Sequence, residues 1–480
     1  MIIWNSLFCP RKVQNYSSHV GIYFLQVTTG MSMLYLKEKM VISSWGGRNY
    51  ILFFHPEPAQ EVLKSSIIIN KDRTYDFFKL WFGENSILYT KGDKWKKERK
   101  LLMPAFHFRI LEKFQCIFNE QSNVLIEKLK KLKRNEVCDI IEMIKPCSLD
   151  IIAATALGVS INAQSKKSNA YFLAINGITS SLLEWFMKPW YWIPAIFKFS
   201  SLGRNLRKNI QFVHQFNTEV IKRRKEKLMK KGNDCDFFEK FEAYEEDTFS
   251  KKKRPLLDLL LHYHINERTM TEEVVRDQAE SIIFGGHDTS TYGICWTLYL
   301  VGRYEDVQEK VYQELHEIFR NDKYRDITVE DLKKMRYLDC VIKEALRIYP
   351  PVAFISRHNP SEMKVGEYIL PANSSCVICI YAIHHNPTVF ENPEIFDPDR
   401  FLPENFKKCH PFAFIPFSAG PRNCLGQRFS MMEMKTILAN VLRHFTINSL
   451  DPRDKIVISA DVILRPVNGI RMTMERRYNY

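Results

Sequence analysis

The strongest constraint on the fold is a long run of amphipathic helical sequence from residue 114 to residue 301. Apolar residues recur there three or four positions apart, as in helices that bury one face. Breaks are predicted at Pro146, Pro189, Pro194 and the charged, glycine-containing stretch 230–254, which is interpreted as an exposed loop. The pattern predicts a mainly α fold.

Strands are predicted only outside this helical run. Residues 40–43 and 50–54 form a short strand pair around two glycines, and Pro56 opens a helix. Beyond Pro351 the chain turns to short strands and turns up to Phe401, followed by a helix from Gln427 to Phe445. No repeat or linker divides the sequence, so we expect one large domain with small β-sheets.

We place this domain at residues 38–480, after an N-terminal segment, residues 1–37, of unclear role. The uncharged stretch 13–36 is diluted by polar side chains and falls short of about 20 consecutive apolar residues, so it is a poor membrane anchor. Arg11 and Lys12 interrupt any signal-peptide pattern.

The charge balance raises three classes of partner. The 480 residues include 69 Lys and Arg against 55 Asp and Glu, a formal net charge of +14. Nucleic acid, an anionic membrane surface and an acidic protein all suit such a chain. The basic clusters are short and scattered and accompany no zinc-finger or RNA-binding signature, so nucleic acid is not expected. The odd number of Cys, 11, favours a reducing, cytosol-facing environment.

A cluster of aromatic residues and prolines spans residues 185–194, from Trp185 to Pro194. It suits a ring-lined entrance or a contact with lipid headgroups. An aromatic corner of the core is the alternative.

The sharpest functional motif is FSAGPRNCLG at residues 417–426, which places Cys424 between Gly420 and Gly426 and just ahead of a predicted helix. The glycines would let the backbone approach a flat cofactor, and the helix start would stabilise a thiolate. A single Cys argues against an iron–sulfur cluster or structural zinc and favours an axial sulfur ligand to haem iron. An inert Cys near a turn is the alternative.

This ten-residue pattern resembles the haem-binding loop of the cytochrome P-450 monooxygenases at every position. The resemblance extends over residues 40–475, and the segments KLLMPAFHF at 100–108 and GHDT at 286–289 resemble the family-four branch, which commonly acts on fatty acids and similar chains. The resemblance implies the cytochrome P-450 fold, with haem b buried between two long helices. It also implies that Cys424 ligates the iron and that Phe417, Gly420 and Gly426 contact the haem.

One long helix is expected from Glu272 to Gly302, opened by Thr271. Adjacent glycines in its middle cost about 2 kcal/mol relative to alanine, which indicates close backbone approach or a local opening of the helix. The resemblance implies that Gly286, Asp288 and Thr289 form the oxygen side of the site, with Asp288 and Thr289 as the acid–alcohol pair that delivers protons. A glycine-rich helix crossing is the alternative.

Position 285 departs from the family pattern. Many family-four members carry Glu where this chain has Gly285, and that Glu can form an ester to a haem methyl group. Here the haem is expected to be non-covalent apart from its bond to Cys424. The propionate-binding residues implied by the resemblance are Trp95, Arg99, Arg357 and Arg422.

Two further groups complete the expected site. Glu344 and Arg347 are three apart on a helix and would meet Arg400 downstream, which the resemblance implies is a structural triad. Candidates for the substrate pocket follow from the same resemblance, with core packing as the alternative at each position. They are Phe284, Val352, Ala353 and Phe354.

The resemblance implies a haem-thiolate monooxygenase that inserts one oxygen atom from O2 into an apolar organic substrate, fatty-acid-like or xenobiotic. NADPH–cytochrome P-450 reductase is the expected electron donor, cytochrome b5 is a second candidate donor, and NADPH acts only through the reductase. The cytosolic face of the endoplasmic reticulum membrane is the expected location. The alternatives are a haem-thiolate isomerase or dehydratase, against which Asp288 and Thr289 argue, and a catalytically silent haem or lipid carrier.

Overall fold

Helices build most of the molecule, as the amphipathic pattern predicts. The computed structural model describes residues 20–165, 169–230, 255–320, 322 and 324–477. Its first half contains α1 (Val20–Leu34), β1 (Met40–Trp45), β2 (Arg48–Phe53), α2 (Pro56–Lys64), α3 (Lys79–Phe82), α4 (Gly92–Leu102), α5 (Phe108–Leu129), β3 (Cys138–Asp139), α6 (Ile140–Ala156), α7 (Asn169–Met187), α8 (Pro194–Phe199) and α9 (Ser201–Lys230).

The second half begins with the central helix and ends in short strands. Its elements are α10 (Leu256–Ile265), α11 (Glu272–Val301), α12 (Glu305–Phe319), α13 (Val329–Lys334), α14 (Arg336–Ile348), β4 (Phe354–Asn359), β5 (Met363–Val365), β6 (Tyr368–Leu370), β7 (Ser374–Cys379), α15 (Ile380–His384), α16 (Pro403–Phe406), α17 (Gln427–His444), β8 (Phe445–Ser449), β9 (Ile458–Ala460), β10 (Leu464–Pro466) and β11 (Arg471–Arg476).

The central helix α11 passes through the core and packs against α6, α14 and α17. The predicted strand pair is confirmed: β1 and β2 are antiparallel, with Met40 opposite Phe53. They belong to a four-stranded sheet in the order β1-β2-β7-β4, in which β2 and β7 run parallel. Residues of β4 and β7 in this sheet line the same cavity as residues of α11 and α17, so the fold brings distant segments together there.

The ends of the long helices agree with the sequence signals. The Thr271 hydroxyl accepts a hydrogen bond from the Val274 N–H at 3.3 Å and caps α11. Helix α17 covers nearly the whole predicted range from Gln427 to Phe445. Capping and binary patterning therefore suffice to place these two helices.

The predicted break at Pro146 is wrong, because α6 continues through it. Proline removes one hydrogen bond and costs about 3 kcal/mol or more in a helix interior. Buried neighbours such as Ile144 and Cys147 pack against the rest of the core and offset that cost. Pro189 and Pro194 do separate α7 from α8. The predicted loop at 230–254 lies, beyond Lys230, outside the described residues.

Helix α1 packs on the rest of the fold through β9 and α7. Leu25 belongs to the same hydrophobic core as Met474, so the predicted boundary between residues 37 and 38 does not separate α1 from the helical domain. Within the ranges that the structure describes, no helix combines the length and the apolar character needed to cross a bilayer.

The aromatic cluster at 185–194 is partly buried and partly exposed. The Trp185 indole N–H donates to the Tyr191 carbonyl at 2.9 Å, and the Trp192 indole N–H donates to the Trp185 carbonyl at 3.1 Å. Trp192 also packs over Gly46 in the β1–β2 turn. Trp190 is exposed. The inner rings therefore form an aromatic corner, while the outer ring faces solvent.

Candidate active site

A cavity of about 420 Å³ lies between α11 and the loop at residues 417–426. Predicted site residues from four separate segments share its lining. They are Trp95, Arg99, Phe284, Gly286, Thr289, Val352, Phe354, Phe417, Arg422, Cys424 and Gly426.

Cys424 lies deep in the protein, but its side chain is accessible from the cavity. Its backbone N–H donates to the Phe417 carbonyl at 2.9 Å, and α17 begins three residues later. Burial raises the pKa of the Cys424 thiol, whereas the Gly426 N–H and the Arg99 guanidinium oppose that rise. The loop therefore presents one sulfur, flanked by groups that favour its thiolate.

The two glycines of the loop differ in their surroundings. Gly420 has a φ of +73°, and a methyl group there would lie 2.0 Å from the Leu63 carbonyl oxygen, so the tight turn against α2 requires glycine. Its contact with the cofactor stays a prediction. A methyl group at Gly426 would meet only ordinary contacts, 3.9 Å from Cys424 Sγ and from Phe106. Gly426 does line the cavity and caps α17.

Four buried or half-buried basic side chains, grouped around Arg422, lie in or behind the cavity wall. Arg99 donates to the Asn423 carbonyl at 2.8 Å, and the Arg422 guanidinium lies 4.4 Å from the centre of the Trp95 ring. Arg357 is buried but does not line the cavity, so the structure places it behind the wall.

Sequence reasoning missed the fourth cation, Lys71. Its ammonium donates to the Tyr75 hydroxyl at 2.9 Å and lines the cavity. Burial, followed by repulsion from Arg357 and Arg422, lowers the pKa of Lys71 well below its usual value. A lone Lys in a loop carries no local signal of such a role. Crowded buried cations of this kind require anionic partners.

The central helix presents two faces to this region. A methyl group at Gly285 would meet no atom within 4 Å, whereas one at Gly286 would lie 2.5 Å from Ile152 Cδ1 on α6. Gly285 thus leaves open space beside the cavity, and Gly286 permits the close crossing of α11 and α6. The Thr289 hydroxyl, which also lines the cavity, donates to the Gly285 carbonyl at 2.7 Å.

Asp288 does not line the cavity, and its role beside Thr289 in proton delivery stays a prediction. Its side chain is fully buried, and its Oδ1 lies 3.3 Å from the Lys145 ammonium on α6. Burial alone would raise the pKa of Asp288, but Lys145, His287 and Arg465 together lower it. Adjacent residues on a helix point about 100° apart, so the acid and the alcohol occupy different faces of α11.

The substrate-pocket candidates also divide. Phe284, Val352 and Phe354 line the cavity, as the resemblance implies. Ala353 does not, since it is 3% exposed within the main core. Other apolar lining residues carry no local sequence signal because they come from distant segments, and they include Phe24, Phe77, Phe78, Leu183, Val462 and Ile463.

The three members of the predicted triad are assembled. Arg347 Nε and Nη2 donate to the two oxygens of Glu344 at 2.7 Å and 2.8 Å, and both side chains are fully buried. Arg400 Nε lies 3.5 Å from Glu344 Oε1, and the Asp397 N–H donates to the same oxygen at 3.0 Å. The triad fastens α14 to the segment that precedes the cysteine loop.

These residues fit a haem. The cavity offers one sulfur, free space at Gly285, apolar walls, and three basic side chains, Arg99, Arg422 and Lys71, that would pair with two propionates. The Arg422 Nε has no hydrogen-bond partner among the described residues, which leaves a buried donor available. The site defines a haem-thiolate protein with an apolar substrate chamber.

Comparison with known proteins agrees with this class. The family model described as "Cytochrome P450" matches residues 24–474, and the chain belongs to that family of haem-containing monooxygenases. A protein of Homo sapiens named "Cytochrome P450 4V2" is 40% identical over 428 residues, which cover 89% of this chain and 80% of the relative. "Cytochrome P450 4c3" of Drosophila melanogaster is 38% identical over 429 residues, with the same coverage. "Cytochrome P450 4c21" of Blattella germanica is 35% identical over 441 residues, covering 92% and 86%.

Proposed function

We propose that this monooxygenase oxidises apolar, fatty-acid-like or xenobiotic substrates with electrons that NADPH supplies through NADPH–cytochrome P450 reductase. The observation that carries the proposal is the shared cavity: Cys424, Thr289 and Phe284 line one chamber whose other walls are mostly apolar. Such walls favour a hydrocarbon chain over a charged substrate. Cytochrome b5 is a second candidate donor.

Each group in the chamber has a separate task in the proposal. Cys424 would hold the haem iron, and Arg99, Arg422 and Lys71 would pair with the propionates. When bound, the haem supplies the redox chemistry that activates O2. Phe284, with the other apolar side chains, would exclude water and orient a C–H bond.

In the proposal Thr289 relays protons that come from solvent water, because its hydroxyl can donate a hydrogen bond into the chamber instead of to the Gly285 carbonyl. Asp288 would relay protons only after turning away from Lys145, which holds it on the other face of α11. Thr289 is therefore the stronger of the two assignments.

The surface supports an association with the cytosolic face of the endoplasmic reticulum membrane, which we retain as part of the proposal. Large apolar side chains are exposed at the end of α1, on β1 and in residues 190–199. They are Leu34, Ile42, Trp45, Trp190, Ile193, Ile196 and Phe199. Exposed apolar and aromatic groups of this kind bind the membrane interface. Cell fractionation followed by an alkaline carbonate wash tests it, and recovery in the cytosolic fraction would contradict it.

The experiment for the proposed function is reconstitution of the haem-loaded protein with the reductase, NADPH, O2 and lauric acid. We expect NADPH oxidation that depends on substrate and forms a hydroxylated product. Thr289→Ala should retain the haem spectrum but divert electrons to hydrogen peroxide, because the chamber loses its hydroxyl. NADPH oxidation that no apolar substrate stimulates would indicate a silent carrier, and product formed without NADPH would indicate an isomerase or dehydratase.

A further inference from the structure

The first turns of α11 bind residues 83–87, a segment that leads into the cavity wall at Ile87. The Asp277 Oδ2 accepts hydrogen bonds from the Asn85 N–H at 3.3 Å and from the Asn85 amide at 3.0 Å. The Gln278 Oε1 accepts from the Ile87 N–H at 3.1 Å. These polar side chains fix residues 83–87 to the central helix. Glu280, on the same helix, points elsewhere.

Glu280 is 1% exposed and faces α3 and α9. The His214 Nε2 of α9 lies 3.3 Å from Glu280 Oε2. The Trp81 indole N–H of α3 and the Asn217 amide of α9 also face this carboxyl, but among the described residues neither group, nor either Glu280 oxygen, makes a hydrogen bond. Buried polar groups are almost always paired, so the unpaired groups that these three helices bring together are one another's nearest available partners, and His214 makes the close contact.

The contact reaches the substrate cavity through Trp81. The His214 Nε2 also lies 2.7 Å from the Trp81 carbonyl oxygen. The Trp81 ring stacks on Phe82 with centroids 4.3 Å apart and meets Phe284 edge-on at 4.6 Å. Phe284 lines the cavity. A shift of Trp81 would therefore move an apolar wall of the chamber, because close-packed rings transmit displacement.

The charge state of Glu280 follows from its surroundings. Burial raises the pKa of Glu280 to about 8, so the carboxyl is neutral at pH 7 and can donate as well as accept. The titratable groups that face it are His214 from α9, Tyr171 from α7, and Arg276 and Asp277 from α11. Burial lowers the pKa of His214 and raises that of Tyr171, which moves both away from the window between pH 7 and pH 9.

We propose that Glu280 is a positioning residue that joins α3 and α9 to α11 and thereby fixes Trp81 and Phe284 as one wall of the substrate cavity. The inference rests on the proposed function where it names an apolar substrate, but the three-helix contact is independent of that chemistry. It predicts that loss of the Glu280 carboxyl loosens α3 and α9 and weakens the binding of long substrates more than that of small ligands.

The first test compares Glu280→Leu with Glu273→Leu, an exposed acid on the same helix, both as haem-loaded proteins. Hydrogen exchange reports on Lys79–Phe82 and residues 209–221, and the Soret shift reports the binding of lauric acid and of imidazole. For Glu280→Leu we expect the protection of these segments from hydrogen exchange to fall about tenfold, which corresponds to the loss of about one hydrogen bond between neutral groups. The affinity for lauric acid should also fall about tenfold, and the affinity for imidazole should not change. Unchanged protection in Glu280→Leu would overturn the proposal.

Glu280→Gln is the second test and remains available if Glu280→Leu does not fold. At pH 7 the amide should reproduce wild-type protection, because it too can donate and accept. Between pH 7 and pH 9 the wild type should lose protection in Lys79–Phe82 as the buried carboxyl ionises, and Glu280→Gln should not. The same loss in Glu280→Gln would overturn the role of Glu280. If the hydrogen-exchange results were as expected but the wild type formed no hydroxylated product, the proposed function would be contradicted and the role of Glu280 would stand.

Discussion

Cys424 is held by backbone on both sides, through the Phe417 carbonyl and the start of α17. The ferrous–carbonyl form should therefore show the strongly red-shifted Soret band of a thiolate ligand, because the sulfur donates electron density to the iron. Cys424→Ala should abolish this band. Cys409→Ala, which removes another partly accessible free Cys, should keep it. A red-shifted band in Cys424→Ala would mean that another group ligates the iron.

Gly285 leaves open space where an ester-forming side chain would sit. Acid–acetone extraction of the wild-type protein should therefore release all of the haem, because no carboxyl at this position can attach it. Denaturing chromatography with detection of haem absorbance provides the measurement. Gly285→Glu should retain part of the haem on the polypeptide after turnover. Haem that stays with the wild-type chain would show attachment by a different carboxyl.

At the scale of elements, the triad fastens α14 to the loop before the cysteine motif. Glu344→Gln leaves Arg347 as an uncompensated buried charge, so we expect unfolding to become easier by about 3–5 kcal/mol. Glu330→Gln breaks the exposed pair with Lys333 and should cost less than about 1 kcal/mol. Thermal unfolding of both variants tests the contrast. Equal midpoints would indicate that the triad does not carry stability.

The two central glycines of α11 should respond to alanine in opposite directions. Gly286→Ala must displace Ile152, so we expect a loss of about 1–3 kcal/mol from overpacking. Gly285→Ala meets open space and should gain up to about 1 kcal/mol from helix propensity. Chemical denaturation measures both free energies. A stabilised Gly286→Ala would show that the crossing of α11 and α6 has room to relax.

How well the sequence predicts these features depends on how far apart along the chain the interacting residues lie. The cap at Thr271 and the helix after Gly426 follow from local signals, and both are observed. The contact of Gly286 with Ile152 and the ion pair of Asp288 with Lys145 join residues more than a hundred positions apart. No local pattern encodes such contacts, so the sequence alone predicted neither the Lys145 partner of Asp288 nor the place of Lys71 in the cavity wall.

At the scale of the whole molecule, helix α4 links the cavity to the basic surface, because one of its faces lines the cavity and the others carry exposed lysines. Trp95 and Arg99 line the cavity, while Lys96, Lys97 and Lys100 are exposed on the other sides of the same helix. This division follows from the helical period, because residues four apart share a face. The inner face of α4 can thus serve the cofactor while its outer face serves a partner.

An acidic reductase that docks near the cysteine loop would meet these lysines first. Changing Lys96, Lys97 and Lys100 together to Glu should slow reductase association and flatten its dependence on salt, because charge steering is screened beyond about 10 Å at 0.1 M. Haem content should not change, since none of the three lines the cavity.

The matched control changes Lys208, Lys222 and Lys227, three exposed lysines of α9, to Glu and therefore alters the net charge equally. The measurement is the rate of first-electron reduction against ionic strength. We expect the α4 variant to lose most of the salt dependence and the α9 variant to keep the wild-type slope. If both variants gave the same curve, net charge rather than a docking site on α4 would steer the reductase, and the partner would bind elsewhere.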